Sequence, residues 1–389
     1  MGSDNLSPQH AAYAFGLDLV RFGCALMVAL FHFTWRMPNE ADIMPFGWVG
    51  VQVFFVVSGV VIANSAIAST PYRFARNRFL RLYPAAWIVA AISFAILSVV
   101  PAPAYHALGI GVNPAWRALA SSVVLVGEEA LATAYWTLPI EIAFYALVFI
   151  VLLRARAGLR AVARLLAVAS SAYLVSLFYL VASTSGPGAL DLGYGLKNML
   201  LLRHGVFFAI GIYLWMATQR QPLDRSDRVL FGLSLGAAAL EIVCRSVSLT
   251  TIFAAGDAGP LDIRWVTVGA LLSFAALLAV IRVSLVNAQR WTPSARAGAR
   301  IRMLGLVTYP FYLAHEVVGG AILVAATGNG LGRPAGLALA IAATLAVAWP
   351  IAALAEPALR QAIVRGARWV RGSGARTTMT LGANGRLPK

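Results

Sequence analysis

The chain has 389 residues, 60% of them apolar and only 12% charged, with a mean hydropathy of +0.77. Soluble domains run about 45–50% apolar and about 25% charged, so a soluble globular protein is excluded and a polytopic membrane protein is expected. A formal net charge of +16 would suit nucleic acid, but membrane proteins gather basic residues in cytoplasmic loops, so no nucleic-acid partner is expected.

Ten stretches reach the roughly 20 apolar residues that a spanning helix needs. They are 15–35, 46–68, 83–101, 135–153, 162–182, 198–217, 229–248, 264–283, 303–326 and 335–354. The residues before the first stretch carry no basic region and no cleavage signature, so the first span is expected to stay in place. The longest connection, 102–134, is too mixed for a span, although 118–126 suits a short re-entrant or interfacial helix. The two cysteines, Cys24 and Cys244, lie in apolar stretches and imply neither a disulfide framework nor a metal cluster.

Basic residues set the orientation. Loops after even-numbered spans, their edges and the C-terminal tail hold 23 Lys and Arg, among them Arg73, Arg76, Arg78 and Arg81 after the second span. Loops after odd-numbered spans hold five: Arg36, Arg117, Lys197, Arg264 and Arg333. The positive-inside rule then puts both termini in the cytoplasm, with basic loops against anionic lipids. The expected organisation is a membrane domain over 11–356 and a basic, disordered cytoplasmic tail over 357–389.

The first span, "VRFGCALMVALFHF", holds Arg21 and His32 eleven residues apart. At 3.6 residues per turn both project from one helical face, about 16 Å apart along the axis. Arg21 would sit near the cytoplasm and His32 near the outer surface, either as interior functional groups or as a snorkelling Arg and an interfacial His. The second span, "VGVQVFFVVSG", offers Gln52, Ser58 and glycine for close packing. "RFARNRFLRLYP" over 73–84 puts Arg78 and Arg81 at the mouth of the third span as an R-x-x-R pair. Guanidinium forks suit phosphate, though cytoplasmic loop charge would look the same.

"YWTLPIEIAFY" over 135–145 starts the fourth span with Thr137 as cap and Pro139 in the first turn. Glu141 lies about 9 Å below that start, a depth expected to match His32. It would then hold the imidazole tautomer, or instead pair with an interior arginine such as Arg203. Arg203 and His204 stand together near the outer end of the sixth span. "TYPFYLAHE" over 308–316 places Tyr312, His315 and Glu316 in the ninth, where ionisable groups default to function. No zinc spacing, nucleotide-binding glycine loop or G-x-S-x-G elbow is present.

Five of these pieces together resemble the acyltransferase-3 family of integral membrane acyltransferases. They are "LDLVRFGCALMVALFHF", "GVQVFFVVSG", "RFARNRFLRLYP", "YWTLPIEIAFY" and "YPFYLAHE", in the family's order from residue 15 to residue 316. The family includes exopolysaccharide and lipopolysaccharide O-acetyltransferases and macrolide acylases, and "WTLPIE" looks most like the exopolysaccharide branch. The resemblance implies an all-α bundle of ten core helices, a cytoplasmic acyl-coenzyme A donor and an outer acceptor hydroxyl. Arg21 and His32 match the family's R-x10-H pair, Arg78 and Arg81 its donor-associated R-x-x-R pair, and Glu141 the acidic position after its Trp-Thr motif. Departures are "SGVV" where the family often has "SGF", and no hydrolase-like domain after span ten.

The expected protein is an O-acyltransferase of the bacterial inner membrane, with acetyl-CoA as donor substrate and no permanently bound cofactor or metal. The acceptor would be an exopolysaccharide or lipid-linked sugar. Catalytic candidates are His32 as general base, Glu141 as its orienter and Arg21 as a donor-side group. Arg76, Arg78 and Arg81 are candidates for the coenzyme A phosphates, and Ser58, Tyr312, His315 and Arg203 for the substrate path. The alternatives are acylation of a small molecule of macrolide type and, in another class, a proton-coupled or glycolipid transporter.

Overall fold

The computed structural model describes residues 13–35, 43–67, 69–127, 129–154, 158–183, 201–219, 223–254 and 262–368. Every named element among them is helical, and the one β-bridge is an isolated pair, Val112 with Ala132. In chain order the helices are α1 Phe15–Thr34, α2 Val49–Ile67, α3 Pro71–Leu97, α4 Ala102–His106, α5 Trp116–Val124 and α6 Thr137–Arg154. Then come α7 Leu159–Ser183, α8 Gly205–Met216, α9 Arg225–Ala254, α10 Ile263–Val286, α11 Ala295–Gly328 and α12 Arg333–Arg368. Nine of these described helices are long and apolar enough to cross a membrane, which makes the chain an all-α polytopic membrane protein.

The expected sixth span is a shorter helix. Its first residues, 198–200, lie outside the described residues, and α8 itself has 12 residues, about 18 Å at 1.5 Å per residue. Each residue of α8 is buried, because the helix sits at the centre of the bundle among α2, α7 and α9. Two glycines permit its close crossing with α2. A Cβ added at Gly211 would lie 2.1 Å from the Val56 carbonyl oxygen, and one at Gly59 would lie 2.4 Å from that of Phe208. Lipid gives helices no hydrophobic drive to associate, so such backbone contact is what holds the pair.

Three expectations about the ends of elements are corrected. The arginines of 73–84 lie on the first turns of α3 and not in a loop, because Thr70 caps the Arg73 N–H and Pro71 takes the first helical position. At 27 residues, α3 is about 40 Å long, enough to cross the hydrocarbon and carry its arginines beyond it. The second correction concerns the tail. Residues 357–368 continue α12 and are not disordered, while 369–389 lie outside the described residues. A π turn over Ile351–Ala355 precedes Pro357, and the Arg81–Glu356 and Arg360–Glu356 pairs tie this extension to the bundle. Third, the short helix of the long connection is Trp116–Val124, two residues earlier than expected, ended by Leu125 in the left-handed region (φ 61°).

The connection between α3 and α6 folds back over one end of the bundle. Tyr105 of α4 is fully buried, and its hydroxyl donates to the Val317 carbonyl at 3.0 Å. Burial pushes that phenol up to about 12. Val317 belongs to a second π turn, His315–Gly319, inside α11. The connection therefore braces the widened turn that presents the functional side chains of α11.

Candidate active site

Two polar groups line the bundle interior at different depths. The first gathers around His32 near the end of α1. Its Nδ1 lies 2.9 Å from His315 Nε2, with the two rings stacked at 5.1 Å between centroids. His315 Nδ1 lies 2.6 Å from the Tyr312 carbonyl oxygen. A carbonyl only accepts, so the proton of a neutral His315 sits on Nδ1 and its Nε2 is an acceptor. His32 must then donate from Nδ1, which leaves the lone pair of a neutral His32 on Nε2. The hydrogen-bond chain fixes both tautomers.

That Nε2 faces a carboxylate, Glu316, whose Oε1 is 3.8 Å away. Glu316 is 1% exposed and held on both oxygens: Thr133 Oγ1 donates to Oε1, and the Ala134 N–H donates to Oε2 at 2.7 Å. Thr133 and Ala134 belong to a 3₁₀ turn, Thr133–Trp136, directly before α6. Phe31, Phe33, Phe311 and Tyr312 wall the two imidazoles, so the pair works in an apolar surrounding where its hydrogen bonds count for more than in water.

The second group lies about three turns away along α1, around Arg21. Arg21 Nη1 is 4.0 Å from Asp18 Oδ1, and the charges of Arg81 and Glu141 also act on it. Arg81 pairs with Glu356 at 3.7 Å and lies over the Tyr309 ring, 5.7 Å from its centroid. Arg78 sits over Phe74 and Tyr145 at 5.7 and 5.8 Å, and its buried Nε has no hydrogen-bond partner among the described residues. Arg76 is exposed on the same helix. Arg78 and Arg81 thus sit half-buried against aromatic faces at the end of the bundle where Arg21 lies.

Glu141 belongs to this second group, which corrects the expected pairing with His32. It accepts from Ser58 Oγ at 2.9 Å and from the Tyr145 hydroxyl, and among the described residues nothing joins it to His32. The reason is the 3₁₀ turn. Thr133 and Ala134, not the start of α6, stand level with His32, which puts Glu141 about 10 Å deeper at 1.5 Å per residue. The carboxylate beside His32 is Glu316, on the same π turn as His315. Arg203 Nε lies 3.2 Å from Glu241 Oε1 on α9. Ser58 is brought to Glu141, and Tyr312 to the histidines. The adjacent His and Glu in "LAHE" were the available signal for the true constellation. Glu241, alone within its span, was a second.

Residues 15–353 match the acyltransferase domain of the acyltransferase-3 family. The chain belongs to that family. A relative from Komagataeibacter xylinus, named "Putative membrane-bound transacylase BcsY", is 27% identical over 316 residues, covering 77% of this chain and 71% of its own. No solved structure matches the chain. Together with the nine long apolar helices, the match makes the protein a multi-pass membrane acyltransferase.

His32, His315 and Glu316 also form a group whose donor atoms lie within 4.8 Å of one another, close enough to hold a metal ion. His315 has both ring nitrogens engaged, Nε2 with His32 and Nδ1 with the Tyr312 carbonyl, and the carboxylate accepts from Thr133 and Ala134. A metal would have to displace the His32–His315 bond, so this donor set suits proton transfer better than coordination.

Proposed function

We propose that the protein transfers an acyl group, acetyl in the first instance, from cytoplasmic acyl-coenzyme A to a hydroxyl of an extracytoplasmic carbohydrate. The supporting observation is the His32 lone pair, aimed away from a fixed His315–Tyr312 chain and set 3.8 Å from a buried carboxylate. Such an imidazole is a general base ready for a hydroxyl proton.

In this reading Arg76, Arg78 and Arg81 hold the coenzyme A phosphates, where guanidinium forks match phosphate oxygens. The thin pantetheine arm runs inward past Arg21, Ser58 and Glu141 and presents the thioester near His32. The acceptor hydroxyl loses its proton to His32 Nε2 as its oxygen attacks the thioester carbonyl. The tetrahedral oxyanion collapses, the C–S bond breaks, and the leaving thiolate takes the proton from Nε2. Glu316 stabilises the imidazolium between these steps, and His315 keeps the ring in the productive tautomer. The reading puts the protein in the bacterial inner membrane, with coenzyme A on the arginine side.

The test is transfer of label from [¹⁴C]acetyl-CoA by the purified protein in proteoliposomes, with saccharides offered inside and outside. Acetylated saccharide and stoichiometric free coenzyme A support the reading. Absence of both from a protein that is folded and inserted sinks it.

A further inference from the structure

A third polar cluster lies inside the bundle, and the reaction just described does not use it. Glu241 of α9 accepts from two side chains: Arg203 Nε at 3.2 Å and Gln52 Nε2 at 3.4 Å. Beside them, His204 packs between two aromatic rings, Phe55 at 5.3 Å and Trp136 at 5.4 Å between centroids. Gln52, His204 and Glu241 are 3%, 4% and 1% exposed. Yet Gln52 Oε1 and His204 Nδ1, both buried, have no hydrogen-bond partner among the described residues. Two such atoms in one cluster are unusual, because buried polar groups are nearly always satisfied.

The cluster adjoins the reaction centre. Trp136 closes the 3₁₀ turn whose Thr133 and Ala134 hold Glu316. Phe55 neighbours Phe54, which meets Tyr312 edge-on at 5.5 Å. The cluster and the His32 group thus share the Thr133–Trp136 turn.

The chemistry on offer is that of sugar recognition. A sugar ring presents an apolar C–H face, which an aromatic ring covers, and neighbouring hydroxyls that both donate and accept. Planar amide, carboxylate, guanidinium and imidazole groups serve those hydroxyls in pairs. Arg203 and Glu241 form an ion pair at 3.2 Å, and the charge of Arg245, one turn along α9 from Glu241, also acts on His204. Gln52 Oε1 and His204 Nδ1 are the two unused positions a pair of hydroxyls would complete. We propose that Gln52, Arg203, His204 and Glu241, with Phe55 and Trp136, form the acceptor subsite for a sugar unit. The proposal rests on the acyltransferase reading and names the residues that choose its acceptor.

The test uses the full chain in lipid nanodiscs and saturation-transfer NMR. The probes are cellotetraose and maltotetraose as free sugars and a polyprenol-linked glucose as a lipid-borne one. The variants are Gln52→Met, which keeps the volume and loses the acceptor oxygen, and His204→Phe, which keeps the ring stack and loses the nitrogens. At least one probe should bind the wild type, and each variant should weaken it by about tenfold or more, as expected when a buried polar partner is removed. Acetyl-CoA affinity should stay within about twofold, since no donor-side group is touched. Free sugar or lipid-linked sugar binding alone tells which form enters. No binding of any probe, or equal binding in both variants, overturns the subsite. Acetyl-CoA turnover without saccharide binding would leave the acyltransferase reading standing, whereas saccharide binding without acyl transfer would do the reverse.

Discussion

Removing the partner that fixes the His32 tautomer gives a prediction with a calculable size. In His315→Phe the aromatic ring still fills the space among Phe33, Phe311 and Tyr312, but the acceptor of the His32 Nδ1–H is gone. That N–H then stays buried and unsatisfied, at a cost of about 1–3 kcal/mol. His32 escapes the cost by moving its proton to Nε2, the atom that must be free to act as base. At about 1.4 kcal/mol per factor of ten, the productive tautomer is depleted, and kcat falls, by about 5- to 150-fold. His315→Gln carries an amide oxygen near the position of Nε2 and should recover most of the loss. The assay is single-turnover transfer from saturating [¹⁴C]acetyl-CoA, with donor affinity measured alongside. A lowered kcat with unchanged donor affinity, and rescue by Gln, is the expected pattern. Normal kcat in an inserted His315→Phe protein would refute the tautomer argument.

Other predictions test the donor end, the orientation and the packing. Arg78→Ala and Arg81→Ala should weaken acetyl-CoA binding, more so in added salt, and Arg→Lys should rescue only partly because the fork is lost; titration calorimetry reads both. Reporter fusions after Arg160 and after Arg296 should report cytoplasm and one near Asn113 the outer side, as the 23 to 5 distribution of basic residues requires. Gly211→Val should force apart α2 and α8, since its Cβ would meet the Val56 carbonyl oxygen at 2.1 Å. Overpacking of this kind costs about 1–3 kcal/mol or more and should appear as a lowered melting temperature in detergent, whereas Gly236→Val, with open space at its Cβ, should not.

Much of the fold was readable because hydropathy acts one segment at a time. A span of apolar residues declares itself without knowledge of its neighbours, and so did Arg21 and His32, whose shared face follows from helical period alone. What the sequence hid was pairing between segments. Glu141 and Glu316 are both acids inside spans, and only the 3₁₀ turn at Thr133–Trp136 and the π turn at His315–Gly319 decide which meets His32. Neither turn has a periodic signature. The helical state of residues 357–368 was hidden for a different reason: their basic composition suggests a solvated tail, but Glu356 anchors them through Arg81 and Arg360. Short α8 escaped because its apolar run is a full span long while its helix is not.

The central claim is that His32 takes the acceptor proton. Its most direct test is His32→Ala, reconstituted at equal insertion and followed by acetyl transfer and by acetyl-CoA binding in the same preparation. Transfer should fall by about 10²–10⁴, the usual contribution of a general base. Donor binding should be nearly unchanged, because the arginine end lies about 16 Å away along α1. Transfer at the normal rate would contradict the account and move the proton-accepting role away from His32.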